Sequence, residues 1–306
     1  MTDLRFEGQV AIITGAGGGL GRSHALELAR RGAHVLVNDL GGAVDGSGSS
    51  TSAAQRVVDE ITSLGGSAAP NHDSVATAEG GQAIVQAAID AFGRVDVLVN
   101  NAGILRDKAF HKMDAAMIDA VIDVHLKGAF FVSQPAFTLM RVQGYGRIVN
   151  TSSASGLFGN FGQANYGAAK AGLAGLTRVL AIEGASYGIK VNAIAPLAAT
   201  RMTQEILGGD LAALVSPDRV SPLVAYLAHP ECSVSGNVYS VAGGRIARIF
   251  VAETDGVLLT DNTAEAVRDQ LSEINALDVD AFHQPASLDD ESAIIAKALY
   301  RDEPAA

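Results

Sequence analysis

Short apolar runs alternate with longer, one-sided apolar patterns along most of the chain. The short runs read as buried strands, and the patterns that recur every third or fourth residue read as helices. Val10-Ala11-Ile12-Ile13 opens the series. A glycine-rich stretch follows, then a helical pattern over residues 22–31 that ends at Gly32. A second strand is predicted at 33–38, and a Gly/Ser-rich loop, 41–52, leads into a helix over 53–64. A short strand near 68–71, a helix over 79–92 and a strand over 95–99 come next. The pattern then predicts one long helix from Asp114 to Leu139, kinked or broken at Pro135. Ile148-Val149-Asn150-Thr151 and residues 190–195 are further strands, separated by an Ala-rich helix around Tyr166 to Leu176. Val238 to Val241, followed by Gly243-Gly244, closes the sheet. Strands alternating with helices predict an α/β fold with a doubly wound parallel sheet of about seven strands. Beyond residue 246, Asn262-Thr263-Ala264-Glu265 resembles a capping box, with Val267, Leu271 and Ile274 on one face, and a second helix is predicted at Leu288–Leu299. We therefore expect a domain over 1–245 and a helical extension over 246–306, packed on the core or on a partner subunit.

Charge sharpens that division. The 306 residues carry a net charge of −11. Residues 1–250 hold 20 acidic and 19 basic side chains, whereas 251–306 hold 13 acidic and 3 basic. The acidity belongs to the extension and reads as a solvated helical surface. No basic stripe is present, which argues against nucleic acid as a partner. No run of 18 apolar residues occurs, so no membrane span is expected. The first residues enter a strand directly, without the features of a signal peptide. Cys232 is the single cysteine, which excludes an intrachain disulfide and suits a cytoplasmic location. The last residues carry no peroxisomal tripeptide. The seven histidines are scattered with no ligand spacing, so no metal is expected.

The candidate chemistry begins at the first strand, which runs into Thr14-Gly15-Ala16-Gly17-Gly18-Gly19-Leu20-Gly21 and then a helix. Glycines at 15, 19 and 21 let the backbone turn sharply and approach a pyrophosphate at the helix N-terminus. Asp39 follows the second strand, where a carboxylate accepts hydrogen bonds from ribose hydroxyls and repels a 2′-phosphate. We therefore read the cofactor as NAD rather than NADP. Asp73 lies just past the third strand, either against the adenine or as a helix cap. Asn101, Ala102 and Gly103 end the fourth strand, where small and amide side chains suit close cofactor contact and loop bracing. Tyr166 and Lys170, four apart on one helix, share a face. Alone they are an ordinary surface pair. Ser153, at the end of the preceding strand, changes the reading, because hydroxyl and phenol then converge on one substrate oxygen. An ammonium beside the phenol is expected to lower its pKa from about 10.

TGAGGGLG, NNAG, and Ser153 with Tyr166-Gly167-Ala168-Ala169-Lys170 together resemble the short-chain dehydrogenase/reductase family over about residues 5–245, with its Rossmann-like sheet. Finer stretches (VNDLGG, FGRVDVLVNNAGILRDKAF, VHLKGAFFVSQPA) are similar to the branch that holds the (3R)-hydroxyacyl-CoA dehydrogenase parts of peroxisomal multifunctional enzymes. The resemblance implies that Tyr166 removes the hydroxyl proton, that Lys170 holds the nicotinamide ribose, and that Ser153 steadies the substrate oxygen. It adds Leu20, Ser74, Pro196 and Thr200 to the cofactor contacts. It places His125 where many relatives have an Asn that helps a water relay to the Lys. Pro196-Leu197 stands in place of the more usual Pro-Gly. The implied substrate is a (3R)-hydroxyacyl-CoA, with a free 17β-hydroxysteroid or a catalytically idle NAD-binding role as alternatives. The resemblance also implies a homodimer or homotetramer. In that branch a hydratase domain follows, and its lack here suggests a free-standing dehydrogenase. The segment from Thr200 to Leu214 is polar and glycine-interrupted, as suits a mobile cover over the pocket.

Overall fold

The computed structural model describes residues 3–203, 209–277 and 282–299, which fall into two compact units, Met1–Arg248 and Ile249–Ala306. In the first unit β1 Val10–Thr14, α1 Gly19–Arg30, β2 His34–Asn38, α2 Ser52–Ser63, β3 Ser67–Asn71, α3 Ala78–Phe92 and β4 Val97–Asn100 alternate strictly. They are followed by α4 Ala115–Ile122, α5 Gly128–Gln143, β5 Gly146–Thr151, α6 Ala154–Phe158, α7 Ala164–Gly184 and β6 Ile189–Pro196. Then come α8 Gly209–Leu214, α9 Ser221–Ala228, β7 Val238–Ala242 and β8 Arg245–Ile249. The eight strands form one sheet in the order β3-β2-β1-β4-β5-β6-β7-β8. Strands β3 to β7 pair in parallel, with Ile12 level with Leu36 on one side and Leu98 on the other. Strands β1, β4 and β5 are buried throughout, as expected for a sheet covered on both faces. Leu28, Val57 and Val224 cover one face, and Ile84, Val132 and Met140 the other. The fold is thus the Rossmann-like one that the alternation predicts, with one strand more. β8 leaves β7 through Gly243-Gly244, both at positive φ, as in a two-residue hairpin turn.

Two details of the helices differ from expectation. The run from 115 to 143 is interrupted not at Pro135 but at Asp123–Lys127, where the chain makes a π-helical turn carrying His125. Such a turn adds a residue to the helical repeat and re-aims a side chain. Pro135 stays inside α5, and α3 packs closely against the turn it faces. A proline cannot donate to the carbonyl four residues back, here that of Phe131. Gly81 of α3 packs on that carbonyl, and a Cβ at Gly81 would lie 2.3 Å from its oxygen. α9 is the second difference. It is absent from the sequence-based expectation and contributes Leu223, Val224 and Leu227 to the core. The expected cover from Thr200 to Leu214 lies partly outside the described residues.

In the second unit, β9 Glu253–Thr254 pairs antiparallel with β10 Phe282–His283, and Phe250 stacks on Phe282. α10 Ala264–Ile274 is capped by Thr263, which accepts from the Ala266 N–H at 3.1 Å. The third helical position is therefore Ala266, not Glu265, and the capping box is only half formed. α11 Leu288–Leu299 starts with Asp289, Asp290 and Glu291, which suits the positive end of its dipole. Among the described residues no helix is long and apolar enough to cross a membrane.

Candidate active site

A cleft of about 390 Å³ opens just past the carboxyl ends of β1, β2 and β4. This is where the strand order reverses, the place at which open α/β sheets bind ligands. Gly15, Gly19 and Leu20 line it from the first turn, and Asp39 from the second. Asp73 and Ser74 line it beyond β3, Asn101, Ala102 and Gly103 beyond β4, and Thr200 beyond β6. Gly21 and Pro196 are not among its walls. Gly21 serves packing, since a Cβ there would sit 2.3 Å from the Gly15 carbonyl. Pro196 ends β6, where it pairs with Val241.

The cleft is held open by side chains that also line it. One Asp39 oxygen accepts from the Gly17 N–H at 2.7 Å, and the other from the Gly41 N–H at 2.6 Å. The carboxylate thereby fixes the glycine turn and the start of the Gly/Ser loop, with lone pairs left for a ligand. Asn101 donates to the Thr14 and Gly15 carbonyls at 2.9 and 3.0 Å, so its amide acts as the brace of the same turn. Asp73 does not cap α3: that cap is Thr77, which accepts from Gly80. Asp73 instead accepts from Asn71 at 2.7 Å and stays at the cleft wall. Gly103 has a second use, because a Cβ there would collide with the His125 ring at 2.4 Å.

Ser153, Tyr166 and Lys170 are brought together beside this cleft by stitching between β5 and α7. The Ser152 hydroxyl donates to the Lys170 carbonyl at 2.7 Å, and the Lys170 amine donates to the Thr151 carbonyl at 2.5 Å. Asn165, buried at the start of α7, donates to the Arg106 and Met117 carbonyls and accepts from the Tyr166 N–H. Asn165 and Ser152 escape a reading by sequence, and only their adjacency to Tyr166 and Ser153 could draw notice. Ser153 caps α6, accepting from the Ser155 N–H at 3.2 Å. Its own proton is therefore free to be donated toward the Tyr166 phenol, whose pKa the Ser153 side chain draws down. The Lys170 amine lies 5.5 Å from the Tyr166 ring centre, and the His125 ring meets that ring edge-on at 5.0 Å.

The electrostatics correct one expectation. The Tyr166 phenol is pushed above its ordinary value, by burial first, against the pull of the Ser153 side chain. Lys170 does not lower it, because burial holds the amine itself down to about 7 and its proton is directed at Thr151. Desolvation disfavours a charge on either group. His125 is kept well below its ordinary value by burial and then by Lys170. Its Nε2 lies 2.7 Å from the Ile104 carbonyl, and its buried Nδ1 has no partner among the described residues. A cavity of about 10 Å³, walled by His125, Lys170, Thr14 and Asn100 among others, adjoins it, close to the volume that one water requires.

A glycine-lined cleft at the reversal point of a doubly wound sheet, next to a half-buried Ser153 and Tyr166 and a buried Lys170, defines a dehydrogenase acting on hydroxyl groups. The chain belongs to the short chain dehydrogenase family, whose model matches residues 9–209. It is similar to peroxisomal multifunctional enzyme A of Dictyostelium discoideum, at 47% identity over 93% of this chain and 64% of that one. It is also similar to hydroxyacyl-CoA dehydrogenase ChsB1 of Mycobacterium tuberculosis, at 39% identity over 86% of each chain. The solved full-length peroxisomal multifunctional enzyme type 2 of Drosophila melanogaster superposes with a TM-score of 0.82 at 37% identity, covering 97% of this chain and 50% of that one. The chain thus spans less than two thirds of the length of the multifunctional relatives it matches.

Proposed function

We propose that the chain oxidises a secondary alcohol to a ketone with NAD, and that its substrate is a (3R)-hydroxyacyl-CoA. The observation that carries this reading is the convergence of Ser153, Tyr166 and the buried Lys170 amine through the stitching of β5 to α7. The cleft fits a dinucleotide: its glycine turn leaves room for close backbone approach, and Asp39 presents a carboxylate where a ribose would lie. Gly15, Gly19 and Thr200 would hold the cofactor along the cleft, with Asp39 and Asp73 at the adenosine end. When bound, the oxidised nicotinamide supplies the hydride acceptor. Tyr166 takes the hydroxyl proton, and Ser153 donates to the same oxygen as it becomes a carbonyl. Lys170 and His125, whose Nδ1 has no partner among the described residues, line one small cavity, which supports a proton path away from Tyr166. The hydroxyacyl-CoA reading draws on the similarity to ChsB1, which carries that activity in its name. Assembly as a homodimer or homotetramer belongs to the same reading.

The test is Tyr166→Phe, with NADH formation and NADH binding measured on the same protein. Losing a general base costs about 10²- to 10⁴-fold in turnover, while NADH titration should still reach saturation. Wild-type turnover in this variant would sink the assignment. Rates on a (3R)-hydroxyacyl-CoA, its (3S) isomer, a free 17β-hydroxysteroid and NADP then settle substrate and cofactor, and a preference for the free steroid would overturn the CoA reading.

A further inference from the structure

The rim beside Tyr166 carries groups that hydroxyl oxidation does not use. One of its segments, 105–112, leaves the cleft after Ile104 and ends in a single helical turn, Phe110–Lys112. The other, 154–163, runs from Ser153 through α6 into α7. The two are fastened together. The Lys108 N–H donates to the Gly162 carbonyl at 2.8 Å, and Gln163 donates to the Asp107 carboxylate at 2.6 Å. Three phenylalanines on these segments stand in the open: Phe110, Phe158 and Phe161, at 75%, 72% and 89% exposure. A cluster of this kind on a soluble face marks an interaction site. Lys108 and Lys112 are exposed on the same segment, and neither has an ion-pair partner among the described residues. The nearest carboxylates in sequence are engaged elsewhere, Asp107 by Gln163 and Asp114 as the cap of α4.

We propose that this rim is the docking site for the carrier half of a thioester substrate, with Lys108 and Lys112 meeting the phosphates of coenzyme A and Phe110, Phe158 and Phe161 meeting its apolar arm and the acyl chain. The inference rests on the hydroxyacyl-CoA reading and adds where the CoA lies. Phosphate oxygens are met by ammonium groups as point charges, and such contacts on a rim weaken as salt screens them. An apolar patch flanked by free cations suits a ligand that is apolar at one end and anionic at the other.

The experiment compares a (3R)-hydroxyacyl-CoA with the same acyl group on N-acetylcysteamine, which has no phosphate. Wild type and the Lys108→Ala/Lys112→Ala double variant are assayed at low and physiological salt, with binding of free coenzyme A measured by calorimetry. We expect the wild type to prefer the CoA ester in KM, and the double variant to lose about five- to tenfold of that preference, the sum of two exposed charge pairs. Salt should erode the preference in wild type only, and free coenzyme A should bind the variant more weakly. Phe158→Ser/Phe161→Ser should raise KM for both thioesters. An unchanged KM ratio and unchanged coenzyme A binding in the lysine variant would overturn the proposal. So would a serine variant whose only change is its oligomeric state, since the patch would then be a contact between copies. A wild type that binds coenzyme A through these lysines yet oxidises neither thioester would leave the rim standing and remove the hydroxyacyl reading instead.

Discussion

Replacing Lys170 by Met keeps the unbranched stem of the side chain and removes the amine. Lys170 is buried, and its pKa is held down to about 7 from the ordinary 10.5. In the unfolded chain the amine keeps its proton up to the ordinary value. Between pH 7 and 10.5 the unfolded state therefore binds a proton that the native state has released, and stability rises with pH. This contribution is complete above pH 10.5 and is lost as the pH falls to about 7. At about 1.36 kcal/mol per pH unit, the gap amounts to about 5 kcal/mol at most across the window. Lys170→Met lacks that slope. Its own penalty does not vary with pH: the Thr151 carbonyl loses its partner, which costs about 1–3 kcal/mol. The variant should accordingly be the more stable protein at pH 7 and the less stable one near pH 10. Urea unfolding of both proteins at each pH from 7 to 10 measures the difference directly. His24 is common to both proteins and cancels, and His125, although it feels Lys170, titrates below this window. A difference that stays flat within about 0.5 kcal/mol, the size of a neutral surface change, would refute the burial argument for Lys170.

Other substitutions test the scaffold and the cleft. Gly21→Ala places a Cβ 2.3 Å from the Gly15 carbonyl, whereas Gly175→Ala, with nothing within 4 Å, fills open space on α7. The first should cost about 1–3 kcal/mol and weaken NADH binding, and the second should add about 0.5–1 kcal/mol, both read from unfolding midpoints. Arg147→Met leaves the His229, Pro230 and Gly188 carbonyls without the buried guanidinium that they share. A loss of about 3 kcal/mol or more is expected, with a melting curve as the check. Asp39→Asn removes charge from a carboxylate that holds both Gly17 and Gly41. The ratio of NAD to NADP affinity should fall by about tenfold, and an unchanged ratio would remove Asp39 from cofactor selection.

Much of the fold is legible in the sequence because the sheet is buried on both faces. Val10 to Ile13 and Val97 to Val99 are apolar runs with no alternation, and such runs between helical patterns leave few other arrangements. β8 has a weaker signal: Gly243-Gly244 is a hairpin turn, but the next residues, Arg245-Ile246-Ala247-Arg248, read as too polar for a core strand. α9 is readable too, since Val220, Leu223, Val224 and Leu227 follow helical spacing. The π-helical turn at Asp123–Lys127 is not. Local propensity there favours an unbroken helix, and the irregularity is stabilised by what it places, a His125 ring against Gly103 and Tyr166. At the site, Ser153, Tyr166 and Lys170 can be found by spacing because strand end and helix face are local facts. The sign of the Tyr166 shift cannot, because it depends on how completely α6, α7 and the π-helical turn exclude water from the phenol.

That sign changes how the chemistry must be understood. Burial opposes a negative Tyr166 and a positive Lys170 alike, so above about pH 7 the pair rests as neutral phenol and neutral amine. In the proposed reaction, the form needed for alcohol oxidation is phenolate with ammonium. Those two states contain the same number of protons. Reaching the reactive form requires one proton to shift within the pair, not its release to solvent. The Ser153 side chain favours the phenolate side of that exchange, and the Thr151 carbonyl favours the ammonium side. Burial sets the phenolate–ammonium form above the resting one: with the amine at about 7 and the phenol above its ordinary 10, the exchange costs more than about 4 kcal/mol, at about 1.36 kcal/mol per pH unit. A positive charge brought to the cleft would favour the phenolate and offset part of that cost.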